Sequence, residues 1–290
     1  MIIKPENIKL LREKTGAGMM DCKAALTEMN GDLEKAEEWL RKKGINTAQK
    51  KSGRAATEGL VSVAINETSG VIVEINSETD FVAKNENFQK FCMEITNLCL
   101  SKKINNKESL LKTDFLNSGN SVESELTNVI SKLGENIVIK KLNYESQNGV
   151  FFQKYLHNAI SENAGKIGVL LSFEVNDFNE QVDLFSKQLC MHIAAADPIS
   201  LDIDNLDQKI VEKERSIYLE QLKSSGKPDD ILDKIVEGKI KKFCSDVCLL
   251  EQTFVIDNKT PIKECINSFN KENKSNFKIH KYLMYKLGQD

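Results

Sequence analysis

The sequence predicts an α+β protein: a three-helix N-terminal module, a tandem pseudo-duplicated antiparallel-sheet and helix core, and an inserted antiparallel coiled-coil arm. Three observations carry that prediction. Three short apolar periodicities are packed into the first fifty residues, with glycine-containing breaks between them. Two β-rich stretches, around 60–75 and 152–173, are each followed by an amphipathic helical pattern. Two charged amphipathic stretches flank Ser224-Ser225-Gly226-Lys227-Pro228.

In chain order, an apolar face starts at Ile8–Leu11 and breaks at Thr15-Gly16-Ala17-Gly18. Met19, Met20, Cys22, Ala25, Leu26 and Met29 mark a second helix that Asn30-Gly31 stops. Asp32 caps a third, with Leu33, Ala36, Trp39 and Leu40 at helical spacing, and Gly44 is expected to end it. Trp39, the sole tryptophan, is the expected core anchor. Gln49-Lys50-Lys51-Ser52-Gly53-Arg54 is basic and turn-prone and reads as a linker in preference to a phosphate-binding arm, given the acidic balance of the chain. Met19 and Met20 suit a partner groove, although a bundle this small should bury at least one of them.

Val61, Val63 and Ile65 alternate as a strand, Val71–Ile75 forms another, and Glu67–Gly70 joins them as a hairpin. Thr79-Asp80-Phe81-Val82-Ala83-Lys84-Asn85 then turns strand into helix. Phe88, Phe91, Cys92, Ile95, Leu98 and Cys99 fall on one face of that helix. Leu126, Val129, Ile130 and Leu133 suggest a further helix stopped by Gly134, and Ile137–Ile139 a strand. A second hairpin spans Phe152–Tyr155 and Ile167–Phe173.

The chain repeats itself here. Gly70-Val71-Ile72-Val73 corresponds to Gly168-Val169-Leu170-Leu171, and Phe91–Ile95 to Leu189–Ile193, 98 residues apart. Asp177-Phe178 echoes Asp80-Phe81 one residue out of step. That echo lets an Asp-Phe pair at such a joint be simple architecture, so Phe81 alone is read as core or contact. Val211, Ile217, Tyr218 and Leu222 line one arm helix, and Ile231, Ile235, Val236, Ile240 and Phe243 the other. A helix near 262–269 and a strand near 277–283 complete the second sheet. The expected divisions are 1–54, 55–145, 146–203, 204–250 and 251–290.

Apolar residues are 40% of the 290 and charged residues 29%, a folding composition, and the net charge of −3 argues against a dominant nucleic-acid surface. Pro5 and Glu6 stand where a secretory apolar segment would lie, and no stretch has the length of a membrane span; a cytoplasmic protein is expected. The seven cysteines form no C-x-x-C pair and read as reduced, packed thiols; Cys244 and Cys248, one turn apart, lack a nearby histidine for a metal. Gly165-Lys166 is followed by Ile167, so there is no P-loop. His192 lies on an apolar helix face, which favours a packed residue over a catalytic one. A cysteine- or metal-dependent hydrolase using Cys190 and His192 is the enzyme alternative.

Four ordered signatures, Thr15–Lys23, Thr79–Asn85, Gly134-Glu135-Asn136-Ile137 and Ser225-Gly226-Lys227-Pro228, closely resemble bacterial elongation factor Ts from about Ile8 to about Phe277. The resemblance implies a UBA-like N-terminal module and a guanine-nucleotide exchange factor for elongation factor Tu without covalent chemistry. It implies no cofactor of its own, since the GDP and Mg2+ belong to the partner, and no direct nucleic acid or membrane. It assigns Thr79, Asp80, Phe81 and Val82 to displacing that Mg2+, with Lys84 beside them. Met19, Met20, His157 and Gly168 are further expected partner contacts. Asp80 either orients the corner by capping amides or acts electrostatically near the metal; the sequence does not separate the two. Self-association in some relatives leaves a homodimer or a heterotetramer with the partner open. The chain ends soon after Leu283, with little room for the C-terminal helix of some relatives, and the 158–165 loop is longer than in some. A non-exchanging partner or holdase of a GTPase is the alternative function.

Overall fold

A computed structural model describes residues 3–223 and 229–289. The first three helices are α1 (Pro5–Thr15), α2 (Met19–Glu28) and α3 (Leu33–Lys51). Gly16 ends α1 in the left-handed conformation, and the Asp32 side chain accepts the Lys35 N–H to cap α3. Leu11, Cys22, Ala25, Leu26 and Ala36 form their core. Trp39 is only half-buried at its margin, under the Lys43 ammonium 5.2 Å from the ring centroid, so the anchor is aliphatic.

The expected stop at Gly44 is not there. Helix α3 runs through Gly44 to Lys51, so half of the expected linker is helical. A helical glycine costs about 1 kcal/mol, and tertiary packing readily offsets that. Ala48 packs against the core of the first sheet, and Gly44 lies against Thr127 and Ser131.

The hairpin of β1 (Glu58–Ile65) and β2 (Ser69–Ser77) pairs as expected, Leu60 opposite Ile75 and Val63 opposite Ile72. One helical turn, α4 (Asp80–Ala83), leads into α5 (Glu86–Lys102), which buries all six residues of its expected face. A short α6 (Lys107–Lys112) precedes α7 (Val122–Leu133) and β3 (Val138–Ser146). Then come β4 (Phe151–His157), β5 (Ala164–Gly165), β6 (Ile167–Glu174) and α8 (Glu180–Ala196). Helices α9 (Gln208–Lys223) and α10 (Asp229–Val247) pack through Val211, Tyr218, Val236 and Ile240. Ile217 and Ile231, expected on that seam, are exposed. The expected turn at Ser224–Pro228 lies outside the described residues. A 3-10 turn, α11 (Ile262–Asn273) and β7 (Lys278–Lys286) follow.

Strands are ordered β3-β2-β1-β5 in one sheet and β4-β6-β7 in the other. Val61, Val63, Ile72, Phe152 and Leu170 form a core between the sheets, while α5 covers the first sheet and α8 the second. The result is a helix-sheet-sheet-helix stack.

The duplication extends further than the strands. The β-bulge at Glu74/Ile75 recurs 98 residues on, at Ser172/Phe173. The helix caps Asn85 and Asn179, however, are 94 apart, and both helices are 17 residues long. Four residues are therefore extra at the first joint, the length of α4. Asp177-Phe178 accordingly stands directly before the Asn179 cap, where the first copy has Ala83-Lys84, and is no replica of Asp80-Phe81. Phe178 instead stacks on Phe151 at 5.2 Å.

All seven cysteines are free thiols, six of them buried. Cys244 and Cys248 pack in the α9–α10 core beside Leu206, Val236 and Ile240. His192 is fully buried: its Nδ1 accepts the Val255 N–H at 3.3 Å and its Nε2 donates to Gln252 Oε1 at 3.0 Å, the tautomer the two contacts require. Among the described residues, no helix is long and apolar enough to cross a membrane.

Candidate functional site

The corner at 79–85 is built from both ends. Thr79 is extended and its hydroxyl accepts the Val82 N–H at 3.4 Å, which caps α4. Asn85 caps α5 by accepting the Asn87 N–H at 2.9 Å. Val82 and Ala83 are buried in the core under the first sheet. With two of its four residues fixed inward, the turn directs Phe81 outward, where it is 80% exposed. A wholly presented phenylalanine is unusual for a surface residue and is the most conspicuous apolar feature of this face.

The strand entering the corner is held by a side chain far off in sequence. Glu135 Oε2 accepts the backbone N–H groups of Glu78 and Thr79 at 3.1 and 3.0 Å, and its Oε1 accepts the Thr79 hydroxyl at 2.6 Å. In return, Glu78 Oε1 accepts the Asn136 N–H at 2.6 Å. That bond, with help from Arg54 3.4 Å away, holds the Glu78 carboxyl below the usual carboxylate range. Asn136 closes the circuit by donating its amide to Arg54 O at 2.8 Å. Glu135 and Asn136 can reach the corner because Gly134 ends α7 in the left-handed conformation, φ 76°, which glycine adopts without strain.

Asp80 is not the cap; that role falls to Thr79. Its carboxylate pairs with Lys84 at 2.8 Å, one turn on, and this bond holds it below the usual carboxylate range. Thr79, Asp80, Phe81, Val82 and Lys84 are thus brought together in one turn. The other expected residues lie elsewhere. Met19 and Met20 begin α2 and are 59% and 75% exposed, so neither joins the bundle core as expected. His157 is exposed at the end of β4, its Nδ1 3.3 Å from Tyr155 Oη. Gly168 is internal, in β6 against Val61, Val63 and Ile72 of the opposing sheet. The sequence does not mark Glu135, Glu78 and Asn136 as site residues, although Glu135 and Asn136 stand in one of its four signatures. A shallow groove lined by Asp197, Ser200, His280, Tyr282 and Lys286 contains none of the expected residues.

Comparison with known proteins follows the same outline. The family model described as "Elongation factor TS" matches residues 78–289, and that described as "Elongation factor Ts, mitochondrial, N-terminal" matches residues 3–51. The chain is 44% identical over 283 residues to Elongation factor Ts of Rickettsia felis, covering 97% of this chain and 91% of the relative. It is 43% identical over 282 residues to that of Rhodospirillum centenum, covering 97% and 92%. With Rickettsia bellii Elongation factor Ts the identity is 41% over 288 residues, covering 99% and 92%. The chain, matched along nearly its whole length and carrying the capped, clamped corner described above, belongs to the elongation factor Ts family of translation factors.

Proposed function

We propose that this chain binds elongation factor Tu·GDP and promotes GDP release by pressing Phe81 into the partner beside its Mg2+, so that GTP can rebind. The observation that carries the reading is the exposure of Phe81 on a turn whose other apolar residues, Val82 and Ala83, are buried. A factor that loosens nucleotide must bind the nucleotide-free partner more tightly, and the nucleotide must weaken the factor to the same degree. A desolvated aromatic anchor contributes ~2 kcal/mol or more, enough for that differential contact. Thr79 and Val82 set the turn, and Asp80 with Lys84 forms its charged rim.

Met19 and Met20 provide a second, adaptable contact on a UBA-like N-terminal module. Helices α9 and α10 are read as an antiparallel coiled-coil arm inserted at 204–250 between the two parts of the second half-core, and the working compartment as the cytoplasm. No covalent step by this chain is required.

The test is release of fluorescent GDP from elongation factor Tu. Catalytic amounts of the chain should accelerate release, and Phe81→Ala should slow the accelerated rate by roughly 10- to 100-fold with its thermal midpoint unchanged. Full acceleration by the folded variant overturns the role of Phe81. Complex formation without any acceleration by the natural chain identifies a non-exchanging partner instead.

A further inference from the structure

We infer that Glu135 is a positioning residue for nucleotide exchange: by holding the backbone at Glu78 and Thr79, it presents the Phe81 turn already formed. The inference rests on the exchange reading above and assigns a role to a residue that touches neither partner nor nucleotide in that reading.

Three observations carry it. First, the bonds are directed at backbone and cap. One carboxylate takes two consecutive N–H groups and the hydroxyl of the residue that caps α4. Carboxylate bonds to backbone N–H are about twice as strong as neutral ones, and they fix the chain where α4 begins. Second, the clamp is reciprocal, since Glu78 on the corner side accepts the N–H of Asn136 on the clamp side. Neither segment can shift alone without breaking bonds on both sides.

Third, the second half-core lacks both parts together. Helices α7 and α11 are each 12 residues long and each ends in a left-handed cap, at Gly134 and Lys274, 140 residues apart. The strands that follow keep this spacing, with Ile139 and Ile279 paired to Ile75 and Phe173. At this spacing Ser275 stands in the place of Glu135, and its buried hydroxyl has no hydrogen-bond partner among the described residues. The second joint also lacks the extra turn. The carboxylate accompanies the turn it clamps, whereas general support of the sheet-helix core would call for it in both copies.

A preformed turn spares the complex the cost of ordering it when Phe81 is pressed home. Removing the clamp should therefore slow the release step and leave initial docking, made in part elsewhere, nearly intact. The experiment measures GDP release from elongation factor Tu over a range of concentrations of the full chain, for the natural protein, Glu135→Ala, Glu135→Gln, Phe81→Ala and the Glu135→Ala/Phe81→Ala double variant. Glu135→Ala should lower the maximal release rate about tenfold, with the half-saturating concentration changed less than about threefold. Glu135→Gln keeps an oxygen for the two N–H groups and should recover the rate to within about threefold of natural. In the Phe81→Ala background, Glu135→Ala should add no further loss. An additive loss in the double variant, or an unchanged rate for Glu135→Ala, overturns the positioning role. If Phe81→Ala itself releases GDP at the natural rate, the exchange reading of Phe81 fails first, and the two failures are told apart. Amide hydrogen exchange at Glu78 and Thr79 gives a measurement independent of activity: protection should fall in Glu135→Ala, and retained protection counts against the clamp.

Discussion

Leu170 fills the space left by the missing side chain of Gly70, and Ile72, its counterpart 98 residues earlier, lies against Gly168. A β-carbon on Gly70 would stand 2.5 Å from Leu170 Cδ1. On Gly168 it would stand 2.6 Å from Val61 Cγ1 and 3.4 Å from Ile72 Cδ1. The two half-cores are thus keyed into each other by one glycine from each. Gly168→Ala should cost about 1–3 kcal/mol through overpacking, measured by urea unfolding. Any loss of partner activity should track that loss of folded protein, and a stable Gly168→Ala chain with weak binding would return Gly168 to the contact surface.

Gly44 should behave in the opposite way. It sits inside α3 with an ordinary helical backbone, and an added β-carbon would meet Ser131 Cβ at 3.6 Å, an ordinary contact. Gly44→Ala is expected to raise stability by ~0.5–1 kcal/mol, seen as a higher urea midpoint at unchanged slope.

Phe81 and Phe178 predict opposite outcomes from the same substitution. Phe178, 41% exposed, is stacked on Phe151 and Phe173, so Phe178→Ala should destabilise by about 2 kcal/mol and leave GDP release by the folded protein unchanged. Phe81→Ala should leave the melting midpoint unchanged and slow release. Matching behaviour in the two variants would defeat the distinction drawn between the two joints.

His192 predicts a pH dependence. Burial disfavours its charged form and lowers its pKa below the usual 6.5, an effect that the Gln252 bond only partly offsets. In the unfolded chain the same residue takes up a proton near the ordinary value, so below about pH 6.5 the unfolded state binds more protons than the folded one. Stability should therefore fall as pH drops from 6.5 toward the folded pKa and be flat on this account above 7.5. His192→Gln should be less stable at pH 7.5 yet lose less between 7.5 and 5.5, as read from urea midpoints.

Much of the core was legible because burial imposes periodicity. The hairpin β1–β2 and the six-residue face of α5 follow from alternation and helical spacing, as does a last strand in the second sheet, whose pairing with β6 the structure supplies. The length difference between the two joints was hidden by the same periodicity. A slip of four residues turns a helix by about 400°, so an apolar face matches itself one turn out of register, and Phe91–Ile95 aligned with Leu189–Ile193 although the caps differ by 94. Gly44 does not end α3, against the expectation from its residue type, because a local helix penalty is small beside packing on α7. The Glu135 clamp joins residues 56 and 57 apart, and no local pattern announces such a bond. The exposed methionines were ambiguous because a three-helix bundle can be filled by Leu11, Leu26 and Cys22 without them.

Because α3 is one unbroken rod of 19 residues, about 28 Å at 1.5 Å per residue, the N-terminal helices and the Phe81 corner are set at a fixed span like the jaws of a caliper. Lys51, in its last turn, donates to Gly134 O, beside the residue that clamps the corner. A flexible tether would let either jaw grip a partner alone. In the exchange reading proposed above, a rigid one would make the second grip depend on the shape the partner holds when the first has closed, so that the span itself would gauge the partner's conformation.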